Sequence, residues 1–116
     1  MLCRQYEIWL ANLNPQFGTE TGKIRPVLII QSNLLNSIPH SSVLVCPITT
    51  NVVPSAIYLR VHLKDGIASL HNESDIMIDQ IRAIDTKRLI KRIGKLPVES
   101  IRKVKDNILT ILDLEI

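Results

Sequence analysis

Two polar side chains in this sequence stand where they could bind a phosphate group. Arg25 precedes Pro26 and the apolar run 27–30, and its guanidinium offers a planar fork of donors that can hold two phosphate oxygens at once. Thr49 follows the apolar run 43–48, so its hydroxyl is expected at a strand end, where it can donate to a phosphate oxygen. An arginine before a proline is also often a solvated surface residue, and a threonine after a strand often stabilises a turn. Residue type alone therefore leaves both interpretations open.

Other arrangements of chemically active residues have less support. Residues 18–23 resemble a phosphate-binding loop, but their spacing is one residue short and Ile24 replaces the hydroxyl that would bind magnesium. The three histidines share no metal-ligand spacing with one another or with a cysteine, and no serine sits in a nucleophile elbow. Glu73 and Asp75 are more typical of a solvated turn than of a glycosidase pair. We therefore expect no metal site and no cofactor.

The composition bounds the kind of domain that must position these residues. The chain has 116 residues, 46% hydrophobic and 22% charged, which indicates a single globular domain over residues 1–116. A formal charge of +3 suits a polyanionic partner and a merely soluble surface equally well. Cys46 lies within an apolar run and is expected to be buried, reduced and inert. Because the sequence has neither a membrane-span pattern nor a targeting pattern, we expect a cytoplasmic protein.

The apolar pattern predicts a mainly β domain that ends in a helix. Strands are predicted at residues 7–13, 27–30, 43–48, 57–63, 76–81 and 89–96, with the second and third buried on both faces. Residues 14–23 form a long polar connection, and residues 85–88 predict a short helical turn. From Pro97 onward one helical face gathers the apolar residues Ile101, Val104, Ile108, Ile111 and Leu112, and Glu99 favours the N-terminal end of that helix. The fold class is α+β, with the helix covering a small, strongly curved sheet or barrel.

Four segments together resemble the MazF/PemK toxins. Residues 12–31 contain a proline turn, a loop with Gly18 and Glu20, and Arg-Pro before an apolar strand. The segments Cys46-Pro-Ile-Thr-Thr50, Ile78-Asp-Gln-Ile-Arg-Ala-Ile-Asp85 and Arg92-Ile-Gly-Lys-Leu-Pro97 follow in the order that the family shows. The chain departs from the family pattern in having Tyr6 where relatives open the first strand with glycine, and Met77 and Thr19 where some relatives carry arginine and histidine.

The resemblance implies an SH3-like barrel of antiparallel strands, a homodimer, and metal-independent cleavage of single-stranded RNA. In that chemistry the 2′-hydroxyl attacks the adjacent phosphate and leaves 2′,3′-cyclic phosphate and 5′-hydroxyl ends. The resemblance gives Arg25 the leading catalytic role and favours Thr49 as a phosphate donor. Glu20, on the loop before Arg25, is our candidate for handling a proton or orienting Arg25. Asp79 is the second candidate for proton handling, or else a buried structural acceptor. The resemblance also implies a MazE-like antitoxin whose acidic, extended segment crosses the RNA groove.

Sequence preference would come from unpaired bases that rest on loop side chains and bond through their edges. Phe17 could stack a base, or it could fold back onto the barrel. For Thr50 a phosphate-binding role and a turn-stabilising role are equally supported. The remaining candidates for RNA contact, by position, are Gly18, Thr19, Lys23, Gln31, Ser32, Asn51, Asp79 and Gln80.

Two other classes of function stay open at this stage. SH3-like barrels also serve as non-catalytic binding modules, because a fold does not determine a function. A gyrase-poisoning toxin of the CcdB type shares the fold, but it uses an apolar C-terminal tail with a tryptophan, whereas this chain ends Asp-Leu-Glu-Ile. The sequence leaves open whether messenger, transfer or ribosomal RNA would be the target.

Overall fold

The computed structural model describes residues 2–114. Its elements, in chain order, are the strands and helices β1 (Glu7–Asn12), β2 (Ile24–Ile29), α1 (Asn33–Asn36), β3 (Ser42–Thr49), β4 (Arg60–Leu63), β5 (Ser74–Met77), β6 (Arg82–Asp85), β7 (Leu89–Lys95) and α2 (Val98–Leu112). Short 3-10 turns lie at Ile67–Ser69, Ile78–Gln80 and Thr86–Arg88. Within this part of the chain, no helix is both long and apolar enough to cross a membrane.

The seven strands form one curved antiparallel sheet, in which six follow the order β4-β5-β3-β2-β1-β7 and β6 pairs with β3 outside that order. The long strand β3 pairs with β5 near its C-terminal end and with β6 near its N-terminal end, so these two short strands share one of its edges. The predicted class, a barrel-like arrangement of antiparallel strands with a C-terminal helix, is confirmed.

Strands β2 and β3 contain continuous apolar runs because a core covers each of their two faces. Leu28 and Cys46 face the core beneath α2, whereas Val27 and Val45 face a second core on the opposite side of the sheet. Successive side chains in a strand point to opposite faces, so a strand covered on both sides must be apolar at every position. Within β2 and β3, the predicted runs are buried on both faces except at Leu44, which is 41% exposed.

The C-terminal helix packs on the first core through one side. Val104 is fully buried, and Ile101, Ile108 and Ile111 pack against the same cluster. The predicted apolar face is thus confirmed except for Leu112, which is 49% exposed in the last turn. Burial of this face, at roughly 25 cal/mol per Å² of apolar surface, is what holds the helix on the sheet.

Two predicted strands are shorter than the pattern indicated. Residues 57–59 form turns, with Ile57 66% exposed, so the alternation predicted from Ile57 onward becomes a strand only at Arg60. The Asn107 carboxamide on α2 donates to the carbonyls of Ile57 and Arg60, which satisfies this irregular backbone.

The strand predicted to continue to Ile81 ends at Met77. There a 3-10 turn brings Ile78 and Ile81 onto the first core, because residues three apart share a face in that geometry.

Tyr6 adopts the left-handed conformation that glycine tolerates without strain, with φ +67°. Its amide donates to the Ile29 carbonyl at 2.7 Å and its carbonyl accepts from the Leu96 amide at 2.9 Å. The first strand therefore begins with a left-handed residue that is a tyrosine, held by backbone hydrogen bonds on both sides. Its ring packs against the first core.

Candidate active site

Arg25 and Thr49 lie on neighbouring strands at one end of the sheet. Strands β2 and β3 pair Val27 with Pro47, and continuing that antiparallel register by two residues places Arg25 across from Thr49. Opposite residues share a face and adjacent strands are about 4.8 Å apart. Both side chains are partly exposed, just beyond the buried Val27 and Val45 of the same face. Their juxtaposition makes a place where one phosphate group could contact both.

The bonds these two side chains already make leave donors free. The Arg25 Nε donates to the Gly22 carbonyl at 2.8 Å, which orients the guanidinium and leaves its two terminal nitrogens available. The Thr49 hydroxyl oxygen accepts from the Asn51 amide at 3.1 Å, so its own hydrogen can be donated elsewhere. Partial burial lowers the pKa of Arg25 from its ordinary value, yet a guanidinium stays charged at neutral pH. The pair thus offers a fixed cation and a hydroxyl donor.

The connection between β1 and β2 is held over this end of the sheet by arginines. The Arg82 Nη1 donates to the Thr21 carbonyl at 3.3 Å, and Arg88 donates to the carbonyls of Asn12 and Asn14. The Thr21 hydroxyl also contacts the Met77 sulfur at 3.8 Å. These contacts join residues far apart in sequence, so the residues around Arg82 and Arg88 in the chain gave no indication that these two arginines hold this connection.

Glu20 lies beside Arg82 rather than directly on Arg25. Its carboxylate is 3.9 Å from the Arg82 guanidinium, and about half of its side chain is exposed. Its amide closes a turn with the Phe17 carbonyl at 3.0 Å, which fixes the loop that presents it. The predicted orienting contact between Glu20 and Arg25 is not made in this structure; the carboxylate is left facing solvent near the site.

The other predicted positions lie on the connections before β2 and after β3, and on the turn that follows Met77. Phe17 is 79% exposed, so the alternative in which it folds back onto the barrel is wrong. Asp79 is exposed and Gln80 is half-buried on the turn that follows Met77, so Asp79 is not the buried acceptor considered above. Also exposed here are Gly18, Thr19, Lys23, Thr50 and Asn51.

Thr49 and Thr50 also line a cavity of about 330 Å³. Apolar side chains, including Leu10 and Leu70, form part of its wall, and Lys91 provides a cation there. Arg25 does not line this cavity, whereas Pro26 and Ile48 do, and successive side chains of a strand point to opposite faces. The cavity therefore lies mainly on the other side of the sheet from the Arg25 guanidinium.

Gln31 and Ser32 do not belong to this cluster. They follow β2 at its opposite end, six or more residues from Arg25, which corresponds to about 20 Å of extended strand. The Gln31 side chain is buried, 6% exposed, and its amide donates to the Asn36 side chain at 3.0 Å. Ser32 is exposed and caps the short helix α1. Gln31 has a structural role in this conformation, and we leave both residues out of the site.

Asp75 is buried, which corrects the prediction of a solvated turn. Its side chain is 1% exposed and accepts hydrogen bonds from the Val53 amide, from Arg60 and from His62. Strand pairing places it across from Thr49 on the side away from Arg25. Neither the acidic pair with Glu73 nor any motif indicated this position.

The thiol of Cys46, on the same strand as Thr49, is unreactive. Burial raises the pKa of Cys46 to about 12, with a smaller contribution from the charge of Asp79. A thiol with that pKa holds almost no nucleophilic thiolate at neutral pH. Over residues 2–114, no group of three or more His, Cys, Asp or Glu side chains lies close enough to hold a metal ion. The polar chemistry at this end of the sheet rests on Arg25, Thr49 and their neighbours.

Comparison with known proteins places this arrangement in a family. Over residues 4–112 the chain matches the family described as the PemK-like, MazF-like toxin of type II toxin-antitoxin systems. It is 30% identical over 106 residues to Endoribonuclease EndoA of Bacillus subtilis (strain 168), which covers 91% of this chain and 90% of that protein.

Solved structures agree in architecture. Mycobacterium tuberculosis toxin MazF-mt6 is 26% identical with a TM-score of 0.79, covering 95% of this chain and 99% of that one. The MazE-MazF structure (Form-II) from Deinococcus radiodurans, at 19% identity, supports the fold alone, with a TM-score of 0.77 and 99% of each chain covered. The chain therefore belongs to the family of PemK-like, MazF-like toxins of type II toxin-antitoxin systems.

Proposed function

We propose that this chain is a ribonuclease toxin that cuts single-stranded RNA at specific sequences without a metal ion. The 2′-oxygen of one nucleotide attacks the adjacent phosphorus, and the bond from phosphorus to the 5′-oxygen breaks. The products are a 2′,3′-cyclic phosphate and a 5′-hydroxyl end. Arg25 and Thr49 donate to the non-bridging oxygens, whose negative charge grows in the transition state.

The observation that supports this most directly is the Arg25–Thr49 pair. Cross-strand pairing aligns the two side chains, and each is oriented by a backbone group while its remaining donors are free. Donors that are fixed before the reaction need no reorganisation as charge develops, which is the largest single source of rate enhancement in many enzymes. A binding module would not require this arrangement.

Proton transfer needs a second kind of group. Glu20 takes the proton from the 2′-hydroxyl in this scheme, since its carboxylate is exposed and lies on the loop beside the site. A proton from solvent completes the 5′-hydroxyl as it leaves. Asp79, exposed on the neighbouring turn, is the alternative base. A catalytic carboxylate must reach within hydrogen-bond distance of the hydroxyl once RNA is bound.

Recognition of the RNA would use the exposed loop residues. Phe17 can stack an unpaired base, because its ring is almost free of packing. The proposed contacts to base edges and phosphates come from Gly18, Thr19, Lys23, Thr50, Asn51, Asp79 and Gln80. The positive charge of the chain, +3, favours binding of a polyanion.

The proposed partners follow from the family. We place the working form as a homodimer in the cytoplasm, a single toxin domain inhibited by a cognate antitoxin whose acidic, extended segment covers the RNA groove. The solved Deinococcus radiodurans structure contains a MazF chain of the same fold together with MazE. Titration of a purified cognate antitoxin into the cleavage reaction should stop RNA cutting at one equivalent per site. A stable complex that leaves cleavage intact would refute the groove-blocking part.

The test is incubation of purified protein with a long single-stranded RNA in EDTA, followed by mapping of the ends. We expect cuts at a short recurrent motif that carry cyclic phosphate and 5′-hydroxyl ends, and a single 2′-deoxy substitution at the mapped cut should abolish cleavage. Arg25→Ala and Thr49→Ala should each lose most activity. Lys105→Ala, an exposed lysine on α2, is the matched control and should cut normally.

The outcome also separates the alternatives considered from the sequence. Family membership and the resemblance to a named endoribonuclease over nine-tenths of the chain favour RNA cleavage over an adaptor or a gyrase poison. Intact RNA from a folded protein would overturn the proposal. Inhibition of gyrase supercoiling by that same preparation would then indicate the CcdB-type activity.

A further inference from the structure

The segment that follows Thr49 is held by a closed set of hydrogen bonds centred on Asp75. The Oδ2 atom of Asp75 accepts from the Val53 amide at 2.8 Å and from the Arg60 Nη1 at 3.2 Å. The same Arg60 nitrogen donates to the Asn51 carbonyl at 2.9 Å. Asp75, Arg60, Asn51 and Val53 thus connect strands β4 and β5 to the loop that leaves β3.

This set of bonds ends at the catalytic hydroxyl. The Asn51 carbonyl is bound by Arg60, and the amide of the same residue donates to the Thr49 hydroxyl oxygen at 3.1 Å. A hydroxyl that accepts from a fixed amide points its hydrogen away from that amide. The position of Asn51 therefore restricts the directions in which the Thr49 hydrogen can point.

Burial makes Asp75 a rigid anchor. Its side chain is 1% exposed, whereas the Arg60 side chain is 19% exposed. An acid that is buried in this way needs its donors, because a buried polar group without a partner is costly. His62 donates to the other oxygen, Oδ1, at 3.1 Å, and within residues 2–114 it has no hydrogen bond to the loop of residues 50–53. The loop therefore depends on Oδ2 and Arg60.

We infer that Asp75 is a positioning residue for RNA cleavage, acting through the loop of residues 50–53 to hold the Thr49 hydroxyl in its donating orientation; the inference rests on the proposed function. Asp75 lies one strand from Thr49 and two strands from Arg25, about 10 Å away, so it acts on the phosphate site without contacting it. Its contribution should appear in kcat, since orientation of a transition-state donor affects the chemical step.

The test compares two substitutions of the same residue. In Asp75→Asn the amide oxygen can occupy the Oδ2 position and accept from Val53 and Arg60, while the amide nitrogen faces His62. In Asp75→Ala both loop bonds are lost. On a short RNA that carries the mapped motif, we expect kcat to fall at least tenfold for Asp75→Ala with KM within threefold, and Asp75→Asn to stay within threefold of the unsubstituted chain.

Two further measurements separate positioning from stability. In a Thr49→Val background, Asp75→Ala should have no additional effect on kcat, because the hydroxyl it orients is gone. Hydrogen exchange at the Asn51 and Val53 amides should accelerate in Asp75→Ala and remain slow in Asp75→Asn. Glu73→Gln is the charge-matched control, because Glu73 is a nearby exposed acid that has no hydrogen bond to the loop. This substitution should change neither kcat nor the hydrogen exchange of the loop amides.

The outcomes are distinguishable. Unchanged kcat in Asp75→Ala with released loop amides would overturn the inference and leave the proposed function standing. Equal loss in Asp75→Asn and Asp75→Ala would also overturn it, because the bonding geometry would then not be what matters. If Asp75→Ala does not fold, Arg60→Met decides: normal kcat overturns the inference, and a tenfold fall supports it. RNA left uncut by the unsubstituted protein would overturn the proposed function and this inference with it.

Discussion

Replacement of Arg25 by lysine separates the geometry of the guanidinium from its charge. In the structure Nε is committed to the Gly22 carbonyl at 2.8 Å, and the terminal nitrogens remain for the phosphate. Lysine keeps the positive charge but carries a single nitrogen, which cannot bind Gly22 and hold two phosphate oxygens together. At least one charge-assisted hydrogen bond in the transition state is therefore lost.

The size of the effect follows from that count. A hydrogen bond to a charged group contributes about 1.5–3 kcal/mol, and roughly 1.4 kcal/mol corresponds to a tenfold change in rate. Arg25→Lys should lower kcat by about 10- to 150-fold. Because the positive charge persists, binding of RNA should change much less, and KM should stay within about threefold.

The assay is single-turnover cleavage of a short fluorogenic RNA that carries the motif mapped on the long substrate. Circular dichroism and the midpoint of urea unfolding should match those of the unsubstituted chain, because Arg25 is partly exposed and outside both cores. If Arg25→Lys cleaves within threefold of the original rate, the bidentate role is wrong. A large rise in KM at constant kcat would assign Arg25 to RNA binding instead.

Three further predictions concern stability and reactivity. Burial raises the pKa of Glu7, but hydrogen bonds to its carboxylate, including one from Arg92, outweigh burial and leave the pKa lowered. Glu7→Gln should therefore lower the free energy of unfolding by about 1 kcal/mol above pH 4.5. That difference should disappear as pH falls through the folded pKa of Glu7; urea unfolding at a series of pH values from 7 downward checks this, and a difference that does not depend on pH would contradict it. Cys46, with a pKa of about 12, should resist thiol reagents at pH 8 in the native state and react in denaturant; rapid native labelling would contradict its burial. Gly94→Ala should lower the free energy of unfolding by about 1–3 kcal/mol, because a Cβ there would lie 2.4 Å from the Ala68 carbonyl oxygen; an unchanged urea midpoint would show that this contact relaxes.

Local pattern accounts for much of the fold. Continuous apolar runs predicted the strands that are buried on both faces, and the spacing of Ile101, Val104 and Ile108 predicted the face of α2 that packs on the sheet. These features depend on the periodicity of side chains along one element, which the sequence records directly. The pattern failed at residues 57–59 and 78–80, where exposed turns and a 3-10 turn replace regular strand because contacts with α2 and the first core decide the backbone.

The candidate site, like the fold, was predicted only in part from the sequence. Residue type and resemblance indicated Arg25, Thr49 and the exposed loop around Glu20, since a guanidinium or hydroxyl has recognisable chemistry wherever it lies. They also suggested Gln31, whose side chain proved to be buried at the far end of β2. The residue type of a glutamine does not show which way its strand faces.

The sequence alone determined which side chains could perform chemistry, which strands must be buried, and which family the chain resembles. Only the tertiary structure showed that Arg82 holds the loop carbonyl of Thr21, 61 residues away, and that Asp75 is buried against Val53, 22 residues away. Strand order and register determine which of these distant residues come into contact. Register depends on the burial of whole faces of the sheet, so it cannot be inferred from the residues that surround either partner in the chain.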